Sequence, residues 1–137
     1  MPIHQRGEEV NRARVHIDWL RERFPNVTSV TADLTHVFET FEEKIHSVTQ
    51  GSDTYLALVN TRSRLRMVML YALGNAEKLL VVGTGNKVED YGIGFFTKYG
   101  DGGVDLSPIG NLYKSEVRSL GKHMAILPLL TEAVATD

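Results

Sequence analysis

Between Gly83 and Lys114 the chain gathers hydroxyls, carboxylates, ammonium groups and glycines in one stretch, GTGNKVEDYGIGFFTKYGDGGVDLSPIGNLYK. Thr84 and the backbone N–H groups around it follow directly on an apolar run, where they suit a phosphate or a ribose. Glu89 and Asp90 supply the hard oxygen donors that Mg²⁺ takes alongside substrate phosphates. Lys98 and Lys114 can neutralise phosphate charge, and Asp101 and Asp105 can accept hydrogen bonds from sugar hydroxyls or amines. Glycines at 92, 94, 100, 102 and 103 allow tight turns and close approach of the backbone to a ligand. A single Gly-rich loop with acids and lysines is usually a solvated surface loop. Taken alone, this spacing therefore carries the reading only as far as a nucleotide-handling α/β domain.

The surrounding elements must position that stretch. Val10, Ala13, Ile17, Leu20 and Phe24 recur in steps of three and four and predict a helix over Glu8 to Phe24, stopped by Pro25-Asn26. Val27 to Leu34 is rich in β-branched residues and reads as a short strand. Leu34, Phe38, Phe41, Ile45 and Val48 form a second helical stripe, ended by a break at Gln50 to Asp53. A third helix is predicted from about Thr54 to Leu73, with Ser52 or Asp53 as N-cap and Gly74-Asn75 as stop. It carries a basic cluster, Arg62, Arg64 and Arg66. Lys78 to Gly83 (KLLVVG) reads as a strand buried on both faces of a parallel sheet. Residues 84–111 are too long for an idle connection and read as a functional loop. A last helix runs from about Leu112 to Met124, before Pro128. This order predicts α/β architecture with a parallel sheet and a ligand at the carboxyl ends of the strands.

At 137 residues the chain has room for one domain. Its formal charge of −2 argues against a general nucleic-acid or anionic-membrane binder. The sequence has no Cys, so disulfides and thiolate metal sites are excluded. No apolar window approaches a membrane span, and MPIHQRGEEV has no signal-peptide core, so the expected compartment is the cytoplasm. The five His show no metal-ligand spacing, and none is assigned a catalytic role.

The run Gly94-Phe95-Phe96-Thr97-Lys98-Tyr99-Gly100-Asp101-Gly102-Gly103, followed by Asp105, Pro108, Leu112 and Lys114, closely resembles the ammonia-dependent NAD⁺ synthetases of the adenine nucleotide alpha hydrolase-like group. Val82 to Lys87 with Glu89, and Asn60 to Met67, resemble the same family. So do Met1 to Gln5 and the terminal Ala135-Thr136-Asp137, and the likeness covers essentially the whole chain. It implies a single, partial NAD⁺ synthetase domain over residues 1–137, with a Rossmann-like parallel sheet flanked by helices. The implied reaction joins ammonia to nicotinic acid adenine dinucleotide: ATP adenylates the nicotinate carboxylate, pyrophosphate leaves, and ammonia then displaces AMP. By resemblance, Thr84, Lys114 and Thr136 contact ATP, Arg64, Lys98 and Asp105 contact the deamidated dinucleotide, and Glu89 binds Mg²⁺. Pro2 falls near the family's adenine position. A homodimer is implied, with no nucleic acid and no membrane as partner.

The sequence departs from the family pattern in one chemically central respect. The pyrophosphate-binding Ser-Gly-Gly-x-Asp-Ser loop has no counterpart, and with it go the family's first two strands and the helix between them. Ala135 stands where the family has Pro, and the late His-Lys pair has no match. The expectation is a chain inactive or very weak by itself. Its alternatives are a non-catalytic dinucleotide-binding module, or a subunit completed by a separate chain that carries the loop.

Overall fold

A computed structural model describes residues 1–50 and 53–133. In chain order the helices are α1 (Gly7–Arg23), α2 (Thr35–Thr49), α3 (Tyr55–Glu77), α4 (Lys114–His123) and the short α5 (Pro128–Thr131). A single π turn, Val88–Gly92, lies between α3 and α4. Helices α2 and α3 pack on each other, and α5 is held between α1 and α4. Among the described residues no helix is long and apolar enough to cross a membrane.

The helical stripes read from the sequence become these elements for local reasons. Helix α1 has Glu8 and Glu9 in its first turn and Arg21 and Arg23 in its last, each complementing the helix dipole. It buries Trp19, over which the Arg23 guanidinium lies 4.2 Å from the ring centre. Helix α2 starts where the Asp33 carboxylate accepts the Thr35 N–H at 2.8 Å, and hydrogen bonding from the Thr35 side chain first, then from this backbone N–H, holds that carboxyl below its usual range. It ends at Gln50 in the left-handed region. The N-cap of α3 is Thr54 rather than Asp53, whose carboxylate accepts the Tyr55 N–H at 3.0 Å from one residue further out, and Ser52 lies outside the described residues.

The predicted stop at Gly74-Asn75 falls short of the observed end. Helix α3 continues to Glu77, because Lys78 takes the left-handed conformation and lets the Leu79 N–H bond back to the Gly74 carbonyl at 2.7 Å. The last long helix likewise begins at Lys114 rather than Leu112. Glu116 accepts the Tyr113 N–H at 2.7 Å and fixes the first turn there.

The parallel sheet expected from Val27–Leu34 and Lys78–Gly83 does not form among the described residues. Their β pairing is a single parallel bridge, Val82 with Leu106. The physical reason is the supply of neighbours, since a strand is held by ladder bonds to adjacent strands and not by its own composition. Among the described residues the backbone of Val81 to Gly83 pairs with the 104–106 segment, through Gly83 N–H to Leu106 C=O at 2.7 Å and Asp105 N–H to Val81 C=O at 3.0 Å. Leu79, Leu80 and Val82 are consequently exposed, although Val81 is buried. The 27–34 segment has no regular secondary structure and is tied by Leu34 N–H to the Pro2 carbonyl at 3.0 Å.

The core lies between the N-terminus, α2 and α3. Ile3, Leu34, Phe38 and Leu58 are buried together, with Met1, Leu65 and Met69 packed against them. Arg66 locks the N-terminus onto α3 by donating from Nε to the Met1 carbonyl at 3.0 Å. Phe38 is fully buried. Truncating it leaves a ring-sized void, so Phe38→Ala is expected to cost about 3–5 kcal/mol. Urea unfolding followed by circular dichroism checks this, and a midpoint equal to that of the parent chain would place the core elsewhere.

Candidate functional site

Two halves of the site grow out of the loop between α3 and α4. The first begins where the 79–83 segment stops, at Thr84, which is exposed. Asn86 is 2% exposed, and its side-chain oxygen accepts the N–H groups of Val88 at 3.0 Å and Glu89 at 3.2 Å. This cap starts the π turn, a local widening that often occurs at functional sites. The turn aims Glu89 at helix α4, where the Lys114 ammonium donates to its carboxylate at 2.5 Å. Beside it the Asp90 carboxylate folds over Gly85. A Cβ at that position would lie 2.1 Å from Asp90 Oδ2, so a larger residue there would displace the carboxylate.

The electrostatics differ between these adjacent acids. The Lys114 hydrogen bond holds the Glu89 carboxyl below the usual range, against a smaller opposing effect of burial. Burial first, then the charges of Asp101 and Glu89, push the Asp90 carboxyl up. Thr84 and Lys114 together line a cleft of about 670 Å³.

The second half is the Phe95–Gly103 segment, which is strapped onto α3. Thr97 donates from Oγ1 to Asn60 Oδ1 at 2.8 Å and from its backbone N–H to Asp101 Oδ1 at 3.0 Å. Ser63 Oγ donates to Asp101 Oδ1 at 2.7 Å and receives the Asp101 N–H at 3.0 Å. Gly100 is needed for this contact, since a Cβ there would come 2.3 Å from Ser63 Oγ. Arg64 donates from Nε to the Lys98 carbonyl at 3.0 Å, while the Lys98 ammonium sits 5.0 Å from the Tyr99 ring centre.

The structure thus brings Thr84, Glu89 and Lys114 together, and separately joins Arg64 to Lys98. Asp105 occupies a third place. Its Oδ1 accepts the Tyr71 hydroxyl at 3.0 Å and its Oδ2 the Val81 N–H at 2.8 Å, so both oxygens are engaged within the chain. Burial, then the bond to Asp105, raises the Tyr71 phenol above its ordinary value. Thr136 lies outside the described residues. Sequence reasoning gave Asn86, Asn60 and Ser63 only as members of motifs, with no role of their own, and passed over Tyr71. Of these only Asn86 left a signal, an Asn two and three residues before the N–H groups that it caps.

Among the described residues no group of three or more His, Cys, Asp or Glu could hold a metal by itself. Glu89 alone still fits Mg²⁺ bound mainly through substrate phosphates, where one or two protein carboxylates suffice.

Backbones of this build occur in NMN and NAD synthetases. An NMN synthetase from Francisella tularensis superimposes with a TM-score of 0.83 at 31% identity, over 96% of this chain and 51% of that one. An ammonia-dependent NAD synthetase from Campylobacter jejuni gives 0.76 at 27% identity, over 96% of this chain and 52% of that one. The ammonia-dependent NAD⁺ synthetase of Methanosarcina acetivorans is 40% identical over 121 residues, 88% of this chain and 44% of that protein. The NAD synthase family model matches residues 2–134, and the chain belongs to that family. It spans about half the length of the curated relatives it matches.

Lys114→Ala should return the Glu89 carboxyl towards its ordinary titration range. Because the folded pKa is lowered, the stabilisation from this pair is complete at neutral pH and disappears as pH falls through the lowered value. Carboxyl carbon NMR titration of the parent and variant chains reads the change. Identical Glu89 titrations in the two would show that the 2.5 Å contact does not persist in solution.

Proposed function

We propose that this chain forms part of an ammonia-dependent NAD⁺ synthetase, contributing the dinucleotide half-site and one side of the ATP site. The observation that carries the reading is the pairing of Glu89 with Lys114 at 2.5 Å beside Thr84, in a chain matched by the family over residues 2–134. In the proposed reaction a nicotinate carboxylate oxygen attacks the α-phosphorus of ATP, and the bond to pyrophosphate breaks. Ammonia then attacks the acyl carbon, the C–O bond to AMP breaks, and the nitrogen loses a proton to leave the amide. A carboxylate is a poor electrophile until one oxygen becomes such a leaving group, and cationic groups stabilise the charge gathering on the phosphates.

In this reading Thr84 and Lys114 contact ATP, together with Thr136. Glu89 offers its carboxylate to Mg²⁺, which supplies charge stabilisation when bound. Arg64 and Lys98 hold the deamidated dinucleotide, with the strap to Asn60 and Ser63 setting the height of Lys98 above α3. Asp105 reaches the dinucleotide only by giving up one of its two internal bonds. We further infer that 27–34 and 79–82 are strands of a Rossmann-like parallel sheet, whose remaining strands belong to the half of the relatives that this chain does not cover. The exposed Leu79, Leu80 and Val82 support this, as apolar strand residues awaiting a second layer. A cytoplasmic homodimer using free ammonia completes the proposal.

A second reading, a module that binds dinucleotide without turnover, rests on the Arg64, Lys98 and Asp105 set alone. Calorimetric titration with nicotinic acid adenine dinucleotide, run beside an assay for AMP and NAD⁺ with ATP, Mg²⁺ and ammonium, separates the two. Binding is expected, weakened about tenfold or more in Arg64→Ala and Lys98→Ala, a loss of roughly 1.4 kcal/mol or more. Product in excess over protein would establish the synthetase reading for the chain alone, and binding without product the module. A folded chain that binds no dinucleotide would sink both.

A further inference from the structure

The cleft at Thr84 and Lys114 is also lined by Arg12 and His16 of α1 and by Arg118 of α4. Each helix presents a basic pair at i, i+4 spacing, which places both members on one face one turn apart. Arg12 with His16 and Lys114 with Arg118 therefore line the same cleft from two helices. No carboxylate is among the residues that line it. Among the described residues neither Arg12 nor Arg118 has a hydrogen-bonded or ion-paired partner, while Lys114 is paired to Glu89. His16 Nδ1 is shielded from solvent without a hydrogen-bond partner, and its ring stacks on Trp19 at 5.8 Å.

Two unpaired guanidiniums and an ammonium lining one cleft repel each other, and a multiply charged anion relieves that repulsion at each of them. The guanidinium fork matches two phosphate oxygens at once, which a point-like ammonium does not. We propose that Arg12 and Arg118 are further phosphate-binding residues of this cleft and that, with Lys114, they take the outer phosphates of a nucleoside triphosphate. The inference rests on the ATP reading of Thr84 and Lys114. It adds that the positive charge on the polyphosphate comes from side chains of α1 and α4, not only from backbone N–H groups. It also couples α1, remote in sequence from the loop, to occupancy of the nucleotide site.

The chain has one tryptophan, and its stacking on His16 makes it a reporter for the cleft. The test titrates the 137-residue chain with sodium tripolyphosphate and with ATP, following Trp19 emission, with adenosine as the control lacking phosphate. Circular dichroism and gel filtration establish that parent and variants are folded. Tripolyphosphate is expected to change the emission and to compete with ATP, with affinity falling as salt rises. Arg12→Gln and Arg118→Gln should each weaken tripolyphosphate about tenfold, and Arg118→Lys should lose less. Unchanged tripolyphosphate affinity in both glutamine variants would overturn the proposal. If Thr84→Val and Lys114→Ala then still abolish ATP binding, the ATP reading survives without it. Arginine-dependent tripolyphosphate binding with no added affinity for ATP would keep the anion site and remove the nucleotide reading. A folded parent chain that binds neither would remove both.

Discussion

The Asp105 carboxylate ties together three parts of the chain that are distant in sequence. One oxygen takes the Tyr71 hydroxyl from α3 and the other takes the Val81 N–H from the extended 79–83 segment, while the Asp105 N–H returns to the Val81 carbonyl. A strand with no ladder on one edge would otherwise leave backbone groups unsatisfied, and a charged acceptor is a strong replacement for a missing neighbour. Everything that follows Val81 inherits its position from this knot. Thr84 sits three residues beyond it, Asn86 starts the π turn from there, and Glu89 is thereby delivered to Lys114.

The second half of the site uses the same physics with neutral partners. Asp101 binds Ser63 and the Thr97 backbone, and Thr97 binds Asn60, so the Phe95–Gly103 segment is held by side chains of α3. Lys98 is then oriented through its carbonyl, which Arg64 holds. Two of the groups that the family resemblance marks as ligand contacts, Glu89 and Lys114, are thus bonded to one another, and any ligand at that pair would exchange an existing bond for a new one. Arg64 meets Lys98 through the backbone carbonyl, which leaves the Lys98 ammonium over the Tyr99 ring.

How much of this was legible in the sequence follows from where the information lies. Periodicity found α1, α2, α3 and α4 because a buried stripe repeats locally. It missed the end of α3, which depends on Lys78 adopting a left-handed conformation. Of the expected sheet only one bridge is seen among the described residues, because β composition in 27–34 and 78–83 states a capacity, and pairing needs residues elsewhere. The motif-bearing residues Thr84, Glu89 and Lys114 did converge. Asp105 was legible as a chemical group but not as a structural knot, since its partners Tyr71 and Val81 lie 34 and 24 residues away. Asn60 and Ser63 were read only as letters of a motif, and their work of holding the loop appears only when α3 is laid beside it.

Five residues of helix α3 make these attachments along one rod. Asn60 and Ser63 hold the loop, Arg64 holds Lys98, Arg66 holds Met1, and Tyr71 holds Asp105. A helix advances about 1.5 Å and turns about 100° per residue, so Asn60 and Tyr71 are separated by roughly 16 Å along one rod. The helix acts as a ruler whose marks are angular as well as linear. Point substitutions along it release one attachment at a time. A one-residue insertion or deletion between Asn60 and Tyr71 would turn all marks beyond it through about 100°, and the two ends of the loop could no longer be read against the same scale.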